Sequence, residues 1–366
     1  MKIGIVGDLH MGVTTRVATI TNAIVKGQRD FIDKMATDFE QNGIDTLVFV
    51  GDIFDNRKFV STEVLEYVYN LFKVRLAKFT CYVIAGNHDF LYDNSAEICS
   101  IRFLEQLPNV KLFVDKVGLE EIDGKKWFFV PWVFPEEMDK VNKWLVKMSR
   151  GNIDDNVIVG HFDICGARME AKTVSTAGFD MKRFLNAAKL TISGHYHCKS
   201  EIEMSGSKIH YVGTPYQLTF GHVGIPAGYH IYEDGELTFV ENDVSPNFID
   251  VRDAEIDNYD NLVNSIVRFQ LDTSRSFDDA AMLKAKLESL NPIYIIQVPY
   301  GEIAPIDEKE AEQTEEEARQ LMATDSVGMA ALYLEKHPEL LPTLSSGEDA
   351  KEVAISYIKE YNAKIK

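Results

Sequence analysis

The apolar residues of this chain fall into short runs, each closed by a polar break. Ile3-Gly4-Ile5-Val6 ends in Gly7-Asp8-Leu9-His10, Thr46-Leu47-Val48-Phe49-Val50 in Gly51-Asp52, and Cys81-Tyr82-Val83-Ile84-Ala85 in Gly86-Asn87-His88-Asp89. Continuous apolar runs of this length predict strands buried on both faces. Between them the apolar spacing becomes helical. Phe31, Ile32, Met35 and Phe39 predict a helix over 28–41, stopped by Asn42-Gly43. Val64, Leu65, Val68, Leu71, Phe72 and Leu76 predict a second over 61–76, with Ser61 as its N-cap. Strand, helix, strand, helix, strand is the order of an α/β sheet.

After Lys111 the texture changes. Strands are predicted at 111–114, 120–122 and 126–130, and a helix after Pro135. Val157-Ile158-Val159 ends in Gly160-His161, and Leu190-Thr191-Ile192-Ser193 ends in Gly194-His195-Tyr196-His197. Residues 200–240 read as hairpins, with strands at 208–212, 229–232 and 237–240. The expected organisation is a main domain over 1–243 and a small α+β domain over 244–300, with a helix at 277–290 and a strand at 294–298. An acidic linker at 301–317 and a helical tail at 318–366 follow.

Composition narrows the field. The chain has 366 residues, 45% apolar and 26% charged, the usage of an ordinary globular protein. Its longest apolar stretch, Trp127 to Phe134, is far short of the ~20 residues that span a bilayer, so no membrane segment is expected. Asp8 interrupts the N-terminal run before a signal peptide could form, which predicts a cytoplasmic protein. Cys81, Cys99, Cys165 and Cys198 form no Cys-x-x-Cys pair, which argues against a disulfide framework or a structural zinc site. The net charge of −19 points away from a generally cationic nucleic-acid-binding surface. Residues 301–366, however, hold 15 acidic and 7 basic residues, so −8 of that charge sits in the last stretch.

The chemistry lies in the breaks. Asp8-Leu9-His10, Gly51-Asp52-Ile53-Phe54-Asp55, Gly86-Asn87-His88-Asp89, Gly160-His161 and Gly194-His195-Tyr196-His197 each follow a predicted strand. In an α/β sheet the strand C-termini share one edge, where ligands bind. Asp, Asn and imidazole suit divalent Mn, Fe or Zn, and a carboxylate such as Asp52 can bridge two ions. Two such ions clamp the attacking and leaving oxygens of a phosphate ester and lower the pKa of an attacking water.

These blocks resemble the calcineurin-like metallophosphoesterases, whose pattern is D-x-H, G-D-x-x-D, G-N-H-D/E, G-H and G-H-x-H. The resemblance implies a β-sandwich flanked by helices, with one metal on Asp8, His10, Asp52 and His197 and a second on Asp52, Asn87, His161 and His195. It implies that His88 is a catalytic histidine outside the ligand set, oriented by Asp89, and that Asp55 supports the ligands from behind.

More narrowly, Asp52-Ile53-Phe54-Asp55-Asn56-Arg57-Lys58, Val130-Pro131-Trp132 and the loop Gly213-Thr214-Pro215-Tyr216-Gln217-Leu218-Thr219-Phe220-Gly221 resemble SbcD-type double-strand-break repair nucleases, including the phage recombination exonuclease subunits. That resemblance implies a DNA exonuclease/endonuclease using two divalent ions, Mn²⁺ ahead of Mg²⁺. The implied partners are DNA and an SbcC-type coiled-coil ATPase gripped by the helical tail. A homodimer is also implied, built from the 61–76 helix and one near 95–106. Arg57, Lys58, Arg168 and Lys172, with Lys182 and Arg183, are the expected phosphate contacts. Thr214, Tyr216 and Gln217 are candidates for shaping a substrate groove. Trp127, Trp132 and Trp144 are expected in the core. A phosphatase, a cyclic-nucleotide phosphodiesterase, or a scaffold that recruits the ATPase to DNA ends are the competing functions.

Overall fold

In the computed structural model, residues 1–169 and 173–300 are described. Lys172, the acidic linker and the helical tail read from the sequence therefore lie outside the described residues.

Two six-stranded sheets pack face to face. The first runs Glu236–Glu241, Gly228–Glu233, Lys2–Val6, Thr46–Phe49, Thr80–Ile84, Val110–Phe113 in spatial order. Its four strands from Lys2–Val6 onward are parallel, and Gly228–Glu233 closes antiparallel against Lys2–Val6. The second sheet runs Ser200–Met204, Ser207–Tyr211, Leu190–Gly194, Asn156–His161, Lys125–Val130, Gly118–Ile122. Its central four strands are parallel, with antiparallel strands at each edge.

Alternation along the strands decides the layers. Ile3, Ile5, Val48 and Ile84 of the first sheet meet Trp127, Phe129, Val157, Val159 and Ile192 of the second in a buried inter-sheet core. The alternate residues, such as Leu47 and Phe49, face outward onto Phe31, Met35 and Phe39 of the helix Ala18–Gln41 and Val68 of the helix Thr62–Asn70. On the other side Ile158, Ile209 and Tyr211 pack against Leu145 of the helix Met138–Met148 and Phe184 of Met181–Leu185. A strand covered on both faces must be apolar at every position, which is the pattern its sequence shows.

Residues 247–300 add a three-stranded sheet of Asn247–Arg252, Ser265–Asp272 and Tyr294–Tyr300 with the helix Phe277–Ser289. Val251, Ile256, Val267, Phe269 and Leu287 form its own small apolar cluster, while Phe248 and Ile266 join the larger core.

Two local expectations change. The first helix begins at Ala18 rather than near 28, from an N-cap, Val17, that makes no side-chain cap bond. Its first turns, rich in Thr and Ile, are held by tertiary packing of Ile20 and Ile24 rather than by propensity. The helix expected near 95–106 is instead a hairpin strand, Ser95–Cys99, paired with Phe90–Tyr92, followed by a short 3₁₀ turn over Arg102–Gln106.

Candidate metal centre

Five strands deliver the candidate ligands to one place. Asp8 and His10 follow Lys2–Val6, Asp52 follows Thr46–Phe49, and Asn87 and His88 follow Thr80–Ile84. His161 ends Asn156–His161, and His195 and His197 follow Leu190–Gly194. All five strands are parallel within their sheets, so their C-terminal ends share the edge of the sandwich.

The backbone turns there are tight. His10, Asp52 and His195 adopt left-handed conformations at φ 43°, 49° and 85°. For non-glycine residues this costs on the order of 1–3 kcal/mol each and persists only where the surroundings over-determine it. The glycine at 86 has a specific cause: a Cβ there would lie 2.2 Å from Asp52 Oδ1 and 2.4 Å from its amide.

The donor atoms converge in two groups. His161 donates its Nδ1–H to the Val50 carbonyl at 2.8 Å, which turns Nε2 toward Asn87 Oδ1 at 2.9 Å and Asp52 Oδ2 at 3.3 Å. His195 Nδ1 meets the same Asn87 oxygen at 3.0 Å. On the other side His10 Nε2 lies 3.0 Å from His197 Nε2 and 3.7 Å from Asp52 Oδ2. Asp52 Oδ2 thus belongs to both groups, the position of a bridging carboxylate. Asp8, His10 and His197 offer atoms within 4.8 Å of one another, as do Asp8, Asp52 and His161.

The electrostatics fit a cation. Asp8 Oδ1 is a buried oxygen without a hydrogen-bond partner among the described residues. Such an atom costs free energy unless positive charge approaches it. Burial pushes the Asp8 carboxyl up, whereas at Asp52 the cost of burial is outweighed by the His161 and His10 imidazoles, which hold it well below the usual range. Burial, with His161, holds His195 down to about 4. Burial, with His10 and His222, holds His197 down to about 2. Both are therefore neutral at pH 7, the form that coordinates a metal. The residues present fit two divalent ions.

His88 sits beside these groups. Its amide donates to Asp52 Oδ1 at 2.8 Å and its Nδ1–H to the Asp55 carbonyl at 2.5 Å. It is half-buried, and its ring centroid lies 4.9 Å from that of His10. The orienting group differs from the sequence expectation. Asp89 is fully buried and accepts from the amides of Ile53 at 3.0 Å, Phe54 at 3.3 Å and Gly86 at 2.9 Å. Its carboxylate is spent on the backbone that carries Asp52, and the Asp55 carbonyl holds the His88 ring. The Asp55 carboxylate lies 3.4 Å from His10 Nδ1.

Three contributors escaped the sequence reading. His222 approaches His197 Nδ1 at 3.1 Å, with its own Nδ1 accepting from the Leu218 amide at 3.2 Å. No strand precedes it, so the strand-then-ligand rule did not reach it. Trp132, expected in the core, is half-buried with its ring 5.0 Å from His195. Gln28 donates to the carbonyls of Leu9 at 3.3 Å and His10 at 3.2 Å, and the Tyr216 hydroxyl also donates to Leu9. Tyr216 and Thr214 are buried, so they support the centre from beneath, while Gln217 donates to the Ile225 carbonyl. An open cleft of about 360 Å³ is lined by Asp55, His195, His197, Leu218 and His222.

Of the expected phosphate contacts, Arg57 is paired with Asp93, and Lys58 and Arg168 are exposed.

The calcineurin-like phosphoesterase family model matches residues 1–199, and the chain belongs to that family. It is 29% identical over 249 residues to exonuclease subunit 1 of Enterobacteria phage T4, covering 67% of this chain and 69% of the relative. It is 26% identical over 195 residues to the putative phosphoesterase 078R of Invertebrate iridescent virus 3, covering 52% of this chain and spanning about half of the relative, 53%. Among solved structures it is similar to a dimetal phosphatase from Danio rerio, at TM-score 0.42 and 11% identity over 63% of this chain and 91% of that one. An archaeal phosphodiesterase gives TM-score 0.35 and 16% identity over 66% of this chain and 99% of that one. Among the described residues no helix is long and apolar enough to cross a membrane.

Proposed function

We propose that this phosphoesterase is the nuclease subunit of a DNA-processing complex, hydrolysing DNA phosphodiesters at a two-metal centre. The observation that carries the reading is the relative named as an exonuclease subunit, whose match extends over 249 residues, beyond the 1–199 of the family model. Asp8, His10, Asp52 and His197 would hold one ion, and Asp52, Asn87, His161 and His195 the other. Imidazole and carboxylate donors suit divalent Mn, Fe or Zn; Mn²⁺, with Mg²⁺ second, is proposed from the resemblance to the SbcD-type nucleases. When bound, such ions supply Lewis-acid charge at the phosphate and acidify the attacking water.

The chain's own groups do the rest. His88 has its Nδ1 proton committed to the Asp55 carbonyl, which leaves Nε2, when protonated, to pass a proton to the leaving oxygen. Asp89 fixes the loop that carries Asp52. Arg57, Lys58, Arg168 and Lys172 remain the proposed backbone contacts.

The proposed partner is an SbcC-type ATPase bound through residues 318–366, where Leu321, Met322, Val327, Met329, Leu332 and Leu334, then Val353, Ile355, Tyr357, Ile358 and Tyr361, give two apolar patches. A homodimer through the Thr62–Asn70 helix is proposed with it; Leu65 on that helix and Phe59 just before it are exposed.

Labelled duplex DNA, single-stranded DNA and bis(p-nitrophenyl) phosphate, each with Mn²⁺, Mg²⁺ or EDTA, test the reading. Mn²⁺-dependent degradation of DNA is expected. Hydrolysis of the aryl ester without any action on DNA would instead identify a phosphatase or small phosphodiesterase of the same family.

A further inference from the structure

Across the described surface many cations are matched. Lys26 pairs with Asp30, Arg29 with Glu63, Lys34 with Asp243, Arg75 with Glu40, Arg102 with Asp115 and Lys111 with Glu120. One groove gathers several that are not. Lys143, Lys147, Arg150 and Arg183 line a groove of about 450 Å³ between the helices Met138–Met148 and Met181–Leu185. All four are exposed, and none is within ion-pair distance of a carboxylate among the described residues, although Asp139 also lines the groove.

Four exposed cations gathered in one concavity raise the local positive potential and so attract an anion. A helix C-terminus attracts cations, which accounts for Lys147 near the end of its helix. It does not account for Lys143 in the middle of that helix, nor for Arg183 reaching in from another.

The geometry suits an extended polyanion rather than a single small anion. Lys143 and Lys147 stand one turn apart, roughly 6 Å along the helix axis. The phosphates of one DNA strand recur about every 3.4 Å along the duplex axis. The helix is also tied to the metal centre through the chain. Trp132, against His195, lies in the short segment 131–137 that leads directly into it.

The geometry points to the groove between these two helices as a docking track for the phosphate backbone of DNA, in which Arg183, already an expected phosphate contact, is joined by Lys143, Lys147 and Arg150. The inference rests on the nuclease reading given above. It also resolves a difficulty of that reading, because a chain of net charge −19 must hold DNA through a local cationic surface.

The test is the triple variant Lys143→Gln, Lys147→Gln and Arg150→Gln in the full chain. Binding of a short phosphorothioate duplex is followed by fluorescence anisotropy over a range of salt. Each lost phosphate contact lowers the slope of log K against log salt by about 0.9, so a loss of about 2–3 is expected, with affinity falling at least tenfold. Mn²⁺-dependent hydrolysis of bis(p-nitrophenyl) phosphate and the melting temperature stay at wild-type values. If wild-type protein degrades DNA and the variant binds duplex with the same affinity and slope, the track is refuted while the nuclease reading stands. If wild-type protein hydrolyses the aryl ester but neither binds nor degrades DNA, both fall.

Discussion

Asp89→Asn separates two roles for a residue that the family motif places beside the catalytic histidine. In the structure its carboxylate accepts three buried amides, from Ile53, Phe54 and Gly86, at 3.0, 3.3 and 2.9 Å. An asparagine has one carbonyl oxygen to offer. Whichever way the amide turns, its NH₂ group faces at least one backbone N–H, donor against donor. Burial raises the Asp89 carboxyl to about 7, so the loss is read above that pH, where a hydrogen bond to a charged acceptor contributes ~1.5–3 kcal/mol and a buried donor left unpaired costs ~1–3 kcal/mol. A net destabilisation of about 2–4 kcal/mol is expected, with a melting temperature lower by roughly 5–10 °C at the size-dependent sensitivity of a domain of a few hundred residues. Circular dichroism melts in EDTA measure this without any contribution from bound ions. Had Asp89 instead oriented the His88 ring, the same substitution would leave the melt nearly unchanged and lower the rate on bis(p-nitrophenyl) phosphate ~10²-fold. That pair of results would refute the structural role argued here.

His88→Asn should keep both ions, counted by metal analysis, and lose ~10²–10⁴-fold in rate, the range for a lost general acid; loss of an ion would make His88 a ligand. Asp8→Ala or His195→Ala should abolish Mn²⁺-dependent hydrolysis of DNA and aryl ester alike, and near-normal activity of either would remove that residue from the ligand set. Burial, with His210 and Lys199, holds His230 down to about 2, so it folds neutral while the unfolded chain takes up a proton below about pH 6.5. Stability should therefore fall as pH drops through 6 and 5, and His230→Phe should remove ~1.4 kcal/mol per pH unit of that slope in urea titrations; an unchanged slope would mean that another group carries it. Deleting residues 318–366 should leave cleavage of short DNA intact and abolish co-purification of the ATPase, and a truncated chain that loses cleavage would place the tail in the core.

The strands at the heart of both sheets were legible because each is covered on both faces and so runs apolar without interruption. The candidate ligands were legible because each block opens two residues past such a run, after a single glycine. What escaped did so for physical reasons. The edge strand Ser200–Met204 carries Glu201 and Glu203 outward, so it shows no apolar run. The hairpin around Ser95–Cys99 is fixed by its partner strand rather than by its own spacing. His222 acts through a hydrogen bond to His197, from a short turn whose position depends on how the loop after Gly213 folds back. The role of Asp89 could not be read either, since two of its three partners are amides of a loop more than thirty residues earlier.

The division of the proposed ligands between the sheets also orders their arrival during synthesis. Asp8, His10, Asp52 and Asn87 belong to the first sheet, and His161, His195 and His197 to the second. A nascent chain that has emerged only through the helix Met138–Met148 carries every ligand of the first sheet and nothing to complete either site. That sheet is itself unfinished, because Lys2–Val6 gains its second neighbour only when Gly228–Glu233 arrives. Pairings this distant in sequence form slowly. The proposed metal centre therefore cannot be complete until the chain has been made through His197 and the second sheet has packed against the first.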